Sequence, residues 1–145
     1  MGPLLSDRSA HLQIRFLGPS KRIIRQHQSN GANITSYVFD DPYDKEDAVT
    51  FVYSLPRTST DRNSYLQGEA QHYAKTFGYT LHDEGAVRFR GHPGRRRTGT
   101  FTDEVELNGQ YTLLVLDWSS TRTYTFFAPS GTPFNDMMAS FQPLG

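Results

Sequence analysis

The chain has 145 residues, the length of one ordinary domain, and its fifteen Lys and Arg balance fifteen Asp and Glu, so no global field draws it to nucleic acid or an anionic membrane. It contains no cysteine, which excludes a disulfide framework, a thiol nucleophile and a Cys-ligated metal centre. Leu, Ile, Val and Phe supply 32 residues, enough for a folded core, yet no run approaches the ~18 to 20 apolar residues of a membrane span, and Met1 to Leu5 is too short for a signal core.

Ten Phe and eight Tyr fall in short runs broken by Gly, Pro, Asn, Asp and Ser, the pattern of a strand-rich chain. After ten residues read as a loose N-terminal segment, Leu12, Ile14 and Phe16 alternate with Gln13 and Arg15 as a first strand that stops at Gly18-Pro19. Ile23 to Gln28 is a second strand, and Asn30-Gly31 turns the chain into Ile34 to Phe39. A charged loop from Asp40 to Asp47, broken by Pro42, leads to a strand from Ala48 to Leu55. The period then changes from two to 3.6. Leu66, Ala70, Tyr73, Ala74 and Phe77 form one stripe of a helix over 61–77, capped by Ser59, Thr60 or Asp61 and stopped at Gly78.

Beyond it, Tyr79 to His82, Ala86 to Arg90, Arg95 to Thr102 and Glu106 to Trp118 read as strands joined at Asp83-Glu84-Gly85, Gly91-His92-Pro93-Gly94 and Asp103-Glu104. Tyr111 to Leu116 is almost continuously apolar, which calls for cover on both faces. Arg122 to Ala128 is its partner strand, and Pro133 to Phe141 is a short helix with Phe134, Met137, Met138 and Phe141 at spacings of three and four. The expected fold is α+β in one domain, a mainly antiparallel sheet of about six to seven strands covered by the two helices and the N-terminal strands.

This order resembles the PsbP and Mog superfamily over most of the chain, from Phe16-Leu17-Gly18-Pro19 to Ser140-Phe141. The carriers are the hairpin from Tyr37 to Tyr53, the helix ending at Gly78, the turn Phe89-Arg90-Gly91-His92-Pro93-Gly94-Arg95, the strand at Tyr124 and the closing Phe134 to Phe141. The resemblance implies an α/β/α sandwich that serves as a binding or assembly module, and a place in the bacterial envelope, with the cytosol also open.

The chemistry-bearing residues point the same way. The histidines, His11, His27, His72, His82 and His92, fall in no metal-ligand spacing, and His82, Asp83, Glu84 and His92 read as polar loops. No metal or other cofactor is expected. The acids between Asp40 and Asp47 lack the order of a calcium loop, and Asn33-Ile34-Thr35, though a glycosylation sequon, lies in a strand. Nucleophile-elbow, phosphate-loop, dinucleotide and zinc-protease motifs are absent, so no catalytic residue is assigned.

Arg88, Arg90, Arg95, Arg96 and Arg97 flank one turn. Alternation puts Arg88 and Arg90 on one face and Arg95 and Arg97 together on the next strand, so four guanidiniums with His92 form a candidate surface for a carboxylate, a phosphate or an acidic partner. The competing reading is a solvated sheet edge paired with Asp83, Glu84, Asp103, Glu104 and Glu106. The expected function is a non-enzymatic interaction domain with an unidentified protein partner and no nucleic acid, its oligomeric state open. The alternative is a small-molecule or anion binder, or a cryptic enzyme, with a pocket between the sheet and the 61–77 helix.

Overall fold

A computed structural model describes residues 1–29, 31–42, 48–54, 68, 71–72, 79–101 and 110–144. The chain opens with β1 (Leu4–Asp7), a single 3-10 turn (Arg8–Ala10) and β2 (Leu12–Arg15). β3 (Ser20–His27), β4 (Asn33–Phe39) and β5 (Ala48–Ser54) follow. The second half carries β6 (Tyr79–Phe89), β7 (His92–Phe101), β8 (Tyr111–Ser119), β9 (Arg122–Pro129), α1 (Thr132–Ser140) and β10 (Gln142–Pro143). The large sheet runs in the order β3-β4-β5-β9-β8-β7-β6, every pair antiparallel, and β1, β2 and β10 form a second, three-stranded sheet.

One face of the large sheet holds the main core. Leu114 and Leu116 on β8, Tyr124 and Phe126 on β9, and Tyr37 and Phe39 on β4 meet Leu12 and Ile14 of β2 and Phe134, Met137 and Met138 of α1. Phe141, directly after α1, is fully buried, with Tyr124 and Phe126 edge-on at 5.0 Å and Trp118 at 5.8 Å. Phe16 stacks on Phe39 at 4.4 Å and fastens the small sheet to the large one. On the opposite face Leu113, Val115 and Phe127 are buried as well, so every residue from Tyr111 to Asp117 is shielded.

The α/β/α sandwich is overturned. The chain is mostly strand, and α1, the helix described along its whole length, lies beside the small sheet on the same face rather than in a separate helical layer. The expected 61–77 helix lies outside the described residues, apart from Gly68, Gln71 and His72, which are helical. The expected connection at Asp103-Glu104 also lies outside them.

Three local expectations are corrected too. Residues 4–10 are not loose, because β1 pairs with β2 from Leu4↔Arg15 to Asp7↔Leu12. Asp83-Glu84-Gly85 is a bulge, not a turn: Gly85, at φ +93°, absorbs one extra residue and lets β6 run on to Phe89. The hairpin beyond it turns at Arg90-Gly91, with φ of +50° and +84°, and Phe89 pairs directly with His92. Two successive positive φ values match the twist of a two-residue hairpin, so Pro93 and Gly94, expected in the turn, lie inside β7.

Candidate functional site

The arginines expected to share one surface are divided. Arg90 reaches α1, where Nη1 donates to the Phe141 carbonyl at 2.6 Å and Nη2 to the Met138 carbonyl at 3.4 Å, its guanidinium lying over the Phe89 ring at 4.8 Å. It caps the end of the helix, donating to the Phe141 carbonyl and adding a second donor to the Met138 carbonyl, which already accepts from the Phe141 N–H. Arg88 donates from Nη1 to the Gly91 carbonyl at 2.8 Å. Arg95 and Arg97 sit opposite Val115 and Leu113, on the face away from α1. His92 stacks on Trp118 at 3.5 Å, its Nδ1 2.7 Å from the Trp118 carbonyl oxygen. Arg96, which alternation sets apart from its neighbours, pairs through Nε with Glu84 at 3.0 Å, and Glu84 also accepts from Thr98 at 2.9 Å.

A different constellation forms at the other end of the sheet. A cleft of about 360 Å³ opens beneath the 3-10 turn, where β3, β4 and β5 meet. Arg25 and His27 on β3, Asn33 and Thr35 on β4 and Ser54 on β5 line it, joined by His11. The register Arg25↔Thr35, His27↔Asn33 and Asn33↔Ser54 puts the five strand residues on one face, so their side chains converge by pairing alone.

His11 closes the cleft and is held from three directions. Its backbone is left-handed at φ +56°, its carbonyl accepts from the Tyr124 hydroxyl at 2.7 Å and from the Leu144 N–H at 3.0 Å, and its Nδ1 lies 3.0 Å from the Leu144 carbonyl oxygen. A carbonyl only accepts, so Nδ1 carries the proton and the neutral ring keeps Nε2 as an acceptor. His27 Nδ1 stands 2.7 Å from Asn33 Oδ1, which sets the same tautomer and leaves the Asn33 amide N–H₂ to other partners.

Behind the cleft, Asp7 ties the turn to the sheet. It accepts from Ser9 N–H at 3.2 Å and Ser9 Oγ at 2.8 Å, from Tyr37 at 2.8 Å and from Arg25 Nη2 at 2.7 Å. Burial pushes the Asp7 carboxyl up, but the hydrogen bonds from Tyr37, Ser9 and Arg25, with the guanidinium charge, outweigh it and hold the group below its ordinary value. Burial and the Asp7 carboxylate push the Tyr37 phenol far above the usual range, so the phenol is always the donor. Arg25 is thus anchored through one nitrogen, with Nε and Nη1 bonded to no described residue.

Sequence reading placed His27 on a strand but had no reason to join it to His11 or Ser54. The available signal is period two in Arg25-x-His27 and Asn33-x-Thr35 and in the expected strand from Ala48 to Leu55 that carries Ser54, which shows that residues share a face, not which face closes over a cavity. Among the described residues no cluster of three or more His, Asp or Glu is placed to hold a metal ion. Compared with known proteins, the chain matches no family model, no curated protein and no solved structure.

Proposed function

We propose that the chain is a non-enzymatic binding domain whose cleft takes a small hydroxylated acid, a molecule joining a carboxylate or phosphate to several hydroxyl groups. One observation carries this reading: among the described residues the wall holds a guanidinium, two imidazoles, two amides and three hydroxyls, and no carboxylate. Arg25 offers unfilled N–H groups to an anion, with the Asn33 amide and Ser54 hydroxyl as further donors. The two Nε2 acceptors complement ligand hydroxyls, which a bare anion lacks. A volume of about 360 Å³ lies within the range of small-molecule sites. Calorimetric titration with gluconate tests it: saturable one-to-one binding that weakens about tenfold in Arg25→Gln is expected, and equal affinity for glucose, which lacks the charge, contradicts it.

A second reading, a protein-interaction domain, draws support from the sheet edge. β3 is a terminal strand, exposed along most of its length, with Lys21, Arg22 and Arg25 upon it and Ile23 40% exposed. An edge strand of this kind accepts an added strand, and its basic side chains favour an acidic one. Stable capture of an acidic extended peptide, lost when Ile23→Pro removes an edge donor, supports it; absence of binding at millimolar peptide counts against it.

A further inference from the structure

β3 is a terminal strand of the large sheet, and its pairing with β4 settles which of its residues face outward. Gln28 donates to the Ala32 carbonyl at 2.8 Å, and the register from His27↔Asn33 back to Arg22↔Val38 continues that ladder without a shift. In an antiparallel ladder every second residue turns both its N–H and its C=O toward the partner strand. Gln26, Ile24 and Arg22 therefore bond to β4, and Ile23, Arg25 and His27 turn their backbone groups away from it. All three are exposed. The register shift between Ser20 and Arg22 ends this regular edge at Lys21, so Arg22 to His27 is the stretch a further strand can follow.

The same register distributes the side chains. Ile23, Arg25 and His27 lie on the face of Tyr37 and Thr35, and Arg22, Ile24 and Gln26 lie on the opposite face. Lys21 pairs with Asp40 at 3.6 Å and Arg25 with Asp7 at 2.7 Å, whereas Arg22 has no carboxylate partner among the described residues. The charge in excess on this stretch is thus that of Arg22. In an added antiparallel strand the residue opposite Arg22 falls in a pair without ladder hydrogen bonds, where side chains come closest, so a carboxylate is favoured there. Ile23 and Ile24, one on each face, favour two consecutive apolar residues opposite them. A second copy is a poor occupant: two β3 edges paired about Ile23 set Lys21 of each copy against Arg25 of the other.

We infer that this edge takes an extended segment of another protein as an added antiparallel strand, read as two consecutive apolar residues followed by an acidic one that falls opposite Arg22. The inference rests on the second reading above and adds to it the register and the sequence pattern of the partner.

The test titrates an end-blocked peptide, Thr-Thr-Gln-Val-Val-Glu, into the full chain and reads amide shifts and amide hydrogen exchange. Bound peptide slows exchange at Ile23, Arg25 and His27 and leaves Ile24 and Gln26, already bonded to β4, unchanged. Replacing the peptide's Glu by Lys weakens binding about fivefold. That preference disappears in Arg22→Gln, a substitution at an exposed position that leaves the fold intact. The outcomes separate the two claims. If neither peptide binds at millimolar concentration, the edge-strand reading and the inference fall together. Equal binding of both peptides, a preference that survives Arg22→Gln, or protection that does not alternate along β3 overturns the inferred register and leaves an edge site standing. Self-association of the chain with the same alternating protection in the absence of peptide makes a second copy the occupant and overturns the inference as well.

Discussion

Arg90 closes the helix that ends at Phe141: its guanidinium donates to the Phe141 carbonyl at 2.6 Å while its Cα sits in the left-handed region at φ +50°. Left-handed backbone disfavours a residue bearing a Cβ, and the side chain that α1 requires compensates for it. Arg90→Lys keeps the charge but not the fork that reaches two carbonyls, and it lowers the unfolding free energy by about 1 kcal/mol in urea titration, a modest figure because the group is partly solvated. Arg90→Gly relieves the backbone and loses the cap, so its net change is smaller than that of Arg90→Ala, which keeps the strain and loses the cap.

The aromatic cluster has its centre at Phe141, which Tyr124, Phe126, Trp118 and Phe89 surround at 5.0 to 6.3 Å. Phe141→Ala leaves a cavity that four rings cannot collapse into, and it costs about 3–5 kcal/mol. Chemical denaturation reads this as a drop in midpoint at unchanged slope, whereas Phe141→Leu, which retains most of the volume, costs less than half as much.

Asp7 gives the fold an acid-sensitive clasp. Its folded value lies below the ordinary 3.8, so its contribution is fully present above pH 3.8 and fades as pH falls through the folded value, a window in which the unfolded chain binds more protons than the native one. Asp7→Asn removes that part of the acid limb, flattening the stability profile below pH 4, and costs about 1 kcal/mol at neutral pH through the weakened cap of the 3-10 turn. An unchanged acid limb in Asp7→Asn contradicts the hydrogen-bonded picture of this carboxylate.

Much of this architecture was written in local pattern. The alternation Leu12, Ile14, Phe16 marks β2, the apolar run from Tyr111 marks a strand buried on both faces, and Pro133 followed by Phe134, Met137 and Met138 marks the first turn and inner face of α1. What was not legible depends on contacts remote in sequence. Propensity puts the hairpin turn at Pro93-Gly94, whereas the chain turns at Arg90-Gly91, where the Arg90 guanidinium meets the end of α1. The layer arrangement was misread because nothing local says that β5 pairs with β9, setting Phe51 opposite Thr125.

The candidate sites divide in the same way. The arginine-rich turn was conspicuous as composition, yet strand alternation does not hold through a turn, and so Arg90 parts from Arg88. The His11 cleft was silent because its walls come from four separated stretches, brought together by the Asp7 clasp and by Leu144 at the far end of the chain.

The His11 ring is positioned by the chain's last residues, so the cleft and the C-terminal tail are coupled. Deleting residues 142–145 removes the Leu144 carbonyl and N–H from His11, and Gln142 and Pro143 from the edge of β2. Binding of gluconate then falls about tenfold while the amide dispersion of β8 and β9 is retained, a pattern that separates loss of the site from loss of the fold.

Amide-resolved titration of the intact chain with gluconate, run beside glucose and acetate, bears most directly on the proposed activity. The account predicts saturable shifts confined to His11, Arg25, His27, Asn33 and Ser54, with glucose and acetate each far weaker and Arg25→Gln and His27→Phe both impaired. Shifts that do not saturate, that scatter over the surface arginines, or that acetate reproduces at equal concentration would contradict it.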